Sequence, residues 1–160
     1  QIAVLLNADG AHEQAWRDWS EPAQIETEAG CFADHGVLDQ IDALKSADVS
    51  IHGGSFSIEP TRAFVAVDVN TGKDGSPAAG LKANIAMARD LPRQLRLRGL
   101  GGQIVIDPAP MPKKDRRQLE TVFRAALRSD TVETNFVGWT TLGLIELQRA
   151  RSRAPLQIEP

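Results

Sequence analysis

Apolar residues along this chain fall into short runs and periodic stripes that predict alternating strands and helices. Two runs, residues 63–70 and 103–108, are rich in β-branched residues and too short for a stable helix, so both are interpreted as buried strands. Between them, apolar residues recur at steps of three and four from Leu81, and the stripe ends at Gly99. A strand, a helix-containing crossover and a second strand predict a right-handed βαβ unit with parallel strands.

Each of these two strands ends in an aspartate. Parallel strands bring their carboxyl ends to one edge of the sheet, so Asp68 and Asp107 are expected there together. Strand alternation also puts Asn70 on the same face as Asp68. Two neighbouring carboxylates need a cation or a proton between them, and a divalent metal is the simplest answer. The alternative is two aspartates that cap strand ends.

The other elements follow from the same patterns. The fold class predicted is α/β, a mixed sheet with a central βαβ unit flanked by helices. Pro60 is expected at the second position of a tight hairpin turn, and Pro92 is expected to kink or restart its helix near Leu91. Strands are predicted at 2–6, 24–28, 55–60, 62–70, 103–108 and 134–137, helices at 11–19, 37–45, 81–98, 113–128 and 142–151, and a loop at 31–36.

Length and composition exclude several classes of protein. A chain of 160 residues with 42% hydrophobic content can bury the core of one ordinary domain. No apolar run approaches the roughly 20 residues of a membrane span, and no signal peptide opens the chain, so a cytoplasmic protein without a membrane partner is expected. Cys31 alone allows neither an internal disulfide nor a Cys-x-x-Cys metal site. Because Gln1 leads straight into a strand, a piece of a longer protein is expected.

Charge is distributed unevenly along the chain. Residues 1–60 carry two basic and eleven acidic side chains, whereas residues 82–117 carry nine basic and three acidic ones. Basic residues at the start of the helix at 113–128 oppose the helix dipole, which indicates an anion nearby. A positive patch of this size attracts polyanions. The simpler interpretation of each basic run is a solvated helix face.

Several segments then resemble the catalytic core of the ribonuclease E/G family. They are Gly53-Gly54-Ser55, Ile58-Glu59-Pro60-Thr61, Ala66-Val67-Asp68-Val69-Asn70-Thr71-Gly72-Lys73, Leu81-Lys82-Ala83-Asn84, Arg93 to Gly102, Ile104 to Asp107, and Leu142 to Leu147. The resemblance divides the chain into residues 1–30, the end of a ribonuclease-H-like part, residues 31–151, the deoxyribonuclease-I-like catalytic core, and a tail at 152–160.

The resemblance implies magnesium-dependent endonucleolytic cleavage of single-stranded RNA that leaves 5′-phosphate ends, in RNA processing or decay. Asp68 and Asp107 would hold Mg²⁺, which Mn²⁺ can replace, and Asn70 would assist at the scissile phosphate. Magnesium suits two carboxylates because it keeps positions for water and phosphate oxygens. The residues expected to bind RNA are Lys82, Arg89, Arg93, Arg96, Lys113, Lys114 and Arg117.

Departures from the family pattern leave other functions open. Pro108 follows Asp107 where a second acidic residue is common nearby, and Thr141 replaces a frequent lysine. The OB-fold RNA-binding domain and the 5′-end sensor are missing, so this chain alone is expected to be weakly active or inactive. A homo-oligomer stays open, but Cys31 cannot supply the family's zinc-link cysteines. The alternatives are a non-catalytic RNA-binding domain of the same fold and a phosphohydrolase acting on small metabolites.

Overall fold

The computed structural model describes residues 4–5, 25–26 and 28–156, and the chain forms two compact units, residues 1–45 and 46–160. In the first unit the strands β1 (Val4–Leu5) and β2 (Ile25–Glu26) pair in parallel. They lie within the strands predicted at 2–6 and 24–28, while the helix predicted at 11–19 lies outside the described residues. The division into ribonuclease-H-like and deoxyribonuclease-I-like parts stays a prediction.

Two short helices lie among the described residues of the first unit. Helix α1 (Cys31–Asp34) occupies a segment predicted as a loop, so that prediction was wrong. Its single turn is closed by backbone bonds that start at Gly30, whose positive φ of 93° suits glycine. Helix α2 (Val37–Ala43) confirms the helix predicted at 37–45, although Leu38 on its apolar stripe is 51% exposed.

The second unit is a six-stranded mixed sheet with two long helices. Its elements are β3 (Asp48–Ile51), β4 (Gly54–Pro60), β5 (Val65–Asn70), α3 (Pro77–Leu97), β6 (Gly102–Asp107), α4 (Arg116–Ser129), β7 (Thr134–Trp139) and β8 (Ile145–Arg149). The strand order in the sheet is β3-β4-β5-β6-β8-β7, and this arrangement confirms the predicted fold class. No helix among the described residues is long and apolar enough to cross a bilayer.

The hairpin of β4 and β5 forms as predicted, but its turn differs. Pro60 pairs with Val65 as the last residue of β4 and therefore does not occupy a turn position. The turn is made instead by Thr61, whose hydroxyl accepts hydrogen bonds from the amides of Ala63 and Phe64 and donates one to the Phe64 carbonyl. A threonine side chain that bonds to nearby backbone in this way can form the turn itself.

The βαβ unit is confirmed: β5 and β6 are parallel neighbours, joined by α3. Helix α3 begins earlier than predicted, at Pro77, because the Ser76 side chain accepts from the Ala79 amide and caps the helix. Its last residue is Leu97, and Gly99, with φ of 64°, follows as the predicted left-handed cap. The Leu100 N–H donates a hydrogen bond to the Leu95 carbonyl. Helix α3 is continuous through the buried Pro92, so of the kink or restart expected near Leu91 the restart does not occur.

The C-terminal part contains the largest error of the sequence interpretation. The segment predicted as a helix at 142–151 is β8, an antiparallel strand between β6 and β7. Ile145 and Leu147 are buried while Gln148 between Leu147 and Arg149 is exposed, which is the two-residue period of a strand. The helix predicted at 113–128 is present as a 3₁₀ turn at Lys113–Asp115 followed by α4. The strand predicted at 134–137 is confirmed as β7.

One face of the sheet forms the core, and α3 and α4 cover it. Strand β3, which sequence patterns did not predict, contributes Val49 to this core. The sheet also contributes Phe56, Ile58, Val65, Val67, Val69, Ile104, Ile106, Ile145 and Leu147, and the helices contribute Ala83, Met87, Ala88, Leu91, Leu95, Leu119, Phe123 and Leu127. Side chains on the opposite face alternate with these and include Asp68 and Asp107.

Candidate active site at the carboxyl edge of the parallel strands

The two predicted aspartates are direct neighbours on adjacent parallel strands. Asp68 of β5 and Asp107 of β6 are register partners, and both side chains are exposed on the face opposite the core. Neighbouring strands lie about 4.8 Å apart, so the two carboxylates stand side by side at the edge where β6 ends. Alternation explains the direction of both side chains, since Val67, Val69 and Ile106 beside them are buried.

Asn70 joins this pair from the end of β5. Its amide nitrogen donates a hydrogen bond of 2.7 Å to Oδ2 of Asp68. The bond restrains one carboxylate while the amide remains exposed. The backbone of Asn70 also lies close to Gly54, because a Cβ at Gly54 would be only 1.9 Å from the Asn70 carbonyl oxygen. This close approach explains why the chain carries glycine at position 54.

The segment after Asp107 is attached to α3 by a buried side chain that the sequence interpretation did not single out. Oδ1 of Asn84 accepts from the Ala109 amide, and Nδ2 of Asn84 donates to the Ala109 carbonyl, both at 2.9 Å. Asn84 is fully buried. The sequence did contain a signal for this buried polar residue: Asn84 lies on the apolar stripe of α3, three residues after Leu81 and four before Ala88.

The basic residues expected to bind RNA are divided between the two ends of the helix layer. Helices α3 and α4 follow the carboxyl ends of β5 and β6, so Lys82 near the start of α3 lies toward the aspartate edge. Lys113 and Lys114, in the 3₁₀ turn before α4, and Arg117, in the first turn of α4, lie there as well. All four side chains are exposed.

The remaining members of the basic stripe lie progressively farther away. Arg96 is fourteen residues beyond Lys82, a distance of about 21 Å along the helix. It is bound to Asp130 at the far end of α4, and Arg93 pairs with Asp90 on its own helix at 3.7 Å. Arg89 is exposed between these ends. The structure therefore brings Lys82, Lys113, Lys114 and Arg117 to the aspartate edge and holds Arg96 in a structural ion pair.

An aromatic side chain also lies toward this edge, at the end of β7. The Arg116 guanidinium stacks over the Trp139 ring, 4.3 Å from its centroid. The indole nitrogen of Trp139 donates to Oε1 of Glu120 at 2.7 Å. These contacts connect the start of α4 to the end of β7. The sequence did not predict them.

The donor set at this edge fits a divalent cation of the magnesium type. Magnesium binds through one or two carboxylates and keeps several waters, and Asp68 and Asp107 supply two exposed carboxylates. Across the described ranges, no cluster of three or more His, Cys, Asp or Glu side chains could hold a metal ion. A cation here would therefore have two carboxylates as its acidic protein ligands, with Asn70 beside them.

The fold and the site define the class of protein: an α/β domain with two exposed carboxylates at the carboxyl ends of two neighbouring parallel strands. The profile of the ribonuclease E/G family matches residues 11–152, and the chain belongs to that family. This confirms the resemblance found in the sequence.

Curated relatives match over most of this chain. It is 32% identical over 130 residues to Ribonuclease E of Haemophilus influenzae, covering 78% of this chain and 14% of that protein. Identity is 38% over 115 residues to Ribonuclease E of a Nostoc species, covering 69% and 17%, and 37% over 110 residues to Ribonuclease G of Escherichia coli, covering 66% and 22%. The chain thus spans less than a quarter of these relatives' length.

Proposed function

We propose that this chain is the catalytic core of a magnesium-dependent endoribonuclease, which cleaves single-stranded RNA to leave 5′-phosphate ends in cytoplasmic RNA processing or decay. The observation that carries the proposal is the register pairing of Asp68 with Asp107 on neighbouring parallel strands, within a chain of the ribonuclease E/G family. The names of the relatives, Ribonuclease E and Ribonuclease G, support the reaction class.

Asp68 and Asp107 are the residues that would hold the cation. Bound Mg²⁺, or Mn²⁺ in its place, supplies polarisation of a phosphoryl oxygen and a water that is easier to deprotonate. Asn70 positions the Asp68 carboxylate through its 2.7 Å hydrogen bond. Because the same amide is exposed, it is also available to donate to a phosphate oxygen when negative charge develops there.

The RNA backbone is proposed to cross the carboxyl edge of the sheet. Lys82, Lys113, Lys114 and Arg117 supply exposed positive charge there, and phosphate contacts add affinity without reading sequence. Helix α4 also begins at this edge, so the positive end of its dipole lies there, which favours an anion. A small phosphorylated metabolite would not need basic side chains from both α3 and α4 to bind.

The test is a single-turnover assay with excess protein and a 3′-labelled single-stranded RNA, with Mg²⁺ or with EDTA. The expected result is metal-dependent cleavage, slow in this chain alone, whose downstream fragments are substrates for a 5′-phosphate-dependent exonuclease. RNA binding with no cleavage at any Mg²⁺ concentration would favour a non-catalytic RNA-binding domain. Hydrolysis of a nucleoside monophosphate but not of RNA would favour a small-molecule phosphohydrolase.

A further inference from the structure

Asn84 is a buried polar residue whose bonds are directed at a single backbone position. Its side chain is 0% exposed, and both of its polar atoms bond Ala109, the amide nitrogen to the carbonyl and the oxygen to the N–H. An apolar residue there would leave the buried N–H and carbonyl of Ala109 without these hydrogen-bond partners, which costs free energy. The two bonds therefore do something beyond filling space: they fix the position and orientation of one peptide segment.

That segment directly follows one of the two aspartates. Ala109 lies two residues after Asp107 and is 2% exposed, and it is flanked by Pro108 and Pro110. Proline fixes φ near −65°, and the residue before each proline is restricted as well, so this stretch has few accessible conformations. Holding Ala109 in place therefore also holds the end of β6, where the Asp107 carboxylate is attached.

A second contact between α3 and the same segment lies one helical turn earlier. A Cβ on Gly80 would lie 2.1 Å from the Pro110 carbonyl oxygen, so the helix backbone touches the segment there. Gly80 and Asn84 are four residues apart and share one side of α3. The start of α3 also follows Asp68 and Asn70 through residues 71–76, so one helix restrains the segments that follow both aspartates.

We infer that Asn84 and Gly80 are positioning residues that set the Asp107 carboxylate relative to Asp68, and so determine the affinity of the pair for a divalent cation. This inference rests on the proposed function, because it assumes that the two aspartates bind the cation. Both residues are buried, so their effect on the cation is exerted through the Ala109 segment and not by direct contact. Partners that orient a metal ligand in this way commonly change metal affinity by about 10- to 100-fold when they are replaced.

The first test replaces Asn84 with leucine in the 160-residue chain and measures Mn²⁺ affinity by water-proton relaxation. Asn84→Leu puts methyl groups in place of both polar atoms on the same branched skeleton and so removes both bonds to Ala109. Mn²⁺ binding at least about tenfold weaker is expected. Leu95→Ala is the matched control: Leu95 is fully buried toward the far end of the same helix, so its loss lowers the melting temperature without touching the Ala109 segment. It should keep the Mn²⁺ affinity of the parent.

The second test perturbs the same segment from Gly80. Gly80→Ala raises helix propensity but forces the Pro110 carbonyl to move, so a folded variant with weakened Mn²⁺ binding is expected. Gly75→Ala is its control, because a Cβ at Gly75 meets nothing within 4 Å. This pair decides the question even if Asn84→Leu does not fold.

A metal-free measurement separates positioning from any effect on turnover. In both variants the backbone amide resonances of Asp107 and Ala109 should shift without metal, and amide exchange at Ala109 should accelerate, while Asp68 is unchanged. Folded variants that bind Mn²⁺ as tightly as the parent would overturn the inference and leave the proposed function intact. A parent chain that binds no Mn²⁺ would instead overturn both the metal site and this inference.

Discussion

At the scale of single residues, the site depends on two carboxylates that repel each other when no cation is bound. Asp68 and Asp107 are held side by side by strand register, with only the Asn70 amide donating to one of them among the described side chains. Like charges in such proximity cost free energy, which a divalent cation removes. The exposed position of both side chains keeps that cost moderate, because water screens charges at the surface.

Asp68→Asn and Asp107→Asn are each expected to abolish magnesium-dependent cleavage and to leave the fold intact. Removing one carboxylate relieves the repulsion, so the metal-free variants should melt at the parent temperature or slightly above it. Cleavage assays and calorimetry without metal check this, with Glu59→Gln, an exposed acid on β4, as the control that keeps activity. A variant that melts clearly earlier than the parent would show that the aspartates are structural.

Asn70→Ala should lower turnover more than metal affinity. The amide orients Asp68 and is a weak ligand for magnesium, so its loss should appear mainly as a decrease in kcat of about 100-fold, the effect of losing one donor to developing charge. Mn²⁺ titration and single-turnover rates measure the two quantities separately. Loss of Mn²⁺ binding in this variant would instead identify Asn70 as a ligand.

At the scale of elements, an ion cluster joins the far ends of α3, α4, β7 and β8. Asp130, at the end of α4, accepts from Arg149 of β8 at 2.7 Å and from Arg96 of α3, and Arg149 also donates to Thr134 at 2.7 Å. Burial of Asp130 disfavours its charged form, but the bonds and charges of Arg149 and Arg96 outweigh that effect and hold its pKa below the ordinary value. The side chains of Asp130 and Arg149 are each 1% exposed.

Asp130→Asn is expected to destabilise the fold by roughly 3–5 kcal/mol at neutral pH, because it leaves the Arg149 charge buried without its counterion. The lowered pKa means that the parent keeps this contribution above the unfolded-state pKa of about 4 and loses it as pH falls through the lower folded-state value. Urea unfolding at pH 7 and in acid should therefore show the difference between parent and variant shrinking on acidification.

The matched control for that measurement is Asp90→Asn. Asp90 pairs with the exposed Arg93 at 3.7 Å and accepts a hydrogen bond of 3.0 Å from Gln94 on the same helix, and an asparagine keeps an oxygen that can accept from Gln94. Surface ion pairs of this kind contribute about 0–1 kcal/mol. Equal destabilisation by Asp90→Asn and Asp130→Asn at pH 7 would contradict the importance of burial in the ion cluster.

At the scale of the second unit, the helices cover one face of the sheet while the aspartates occupy the other, near its carboxyl edge. The basic side chains near that edge belong to the starts of α3 and α4. The other basic side chains of α3 form ion pairs near the opposite edge or lie along the helix between the two edges. The basic residues that make the sequence asymmetric in charge therefore form two groups, one beside the aspartates and one distant from them. Only the first group is expected to determine RNA affinity.

Replacing Lys113 and Lys114 by alanine should weaken binding of every single-stranded RNA similarly. The slope of log affinity against log salt should decrease by about 0.7 for each phosphate that these lysines neutralise in the parent. The control is Arg93→Ala, at the distant end of α3, which should leave the slope unchanged. Salt titration of RNA binding in EDTA checks both, and a larger change for Arg93→Ala would place the RNA along the outer side of the helix layer.

Features that depend on local pattern and chain handedness could be predicted from the sequence alone. Alternating valines predicted which face of β5 carries Asp68 and Asn70, and the length of the crossover predicted parallel strands with Asp107 beside Asp68. Gly99 predicted the end of α3 because the left-handed conformation there suits glycine. Each of these signals lies within a few residues or follows from the right-handed crossover rule, so no distant partner was needed.

Features that depend on partners far along the chain were settled by tertiary packing. The residues of β8 suit a short helix or a strand equally, and the strand forms because β6 and β7 offer backbone hydrogen bonds on both sides. Asn84 is separated from Ala109 by twenty-five residues, and Arg96 from Asp130 by thirty-four. The physical reason is that burying an amide or a charge is favourable only once its partner is in place, and that partner is brought there by packing, which local pattern does not encode.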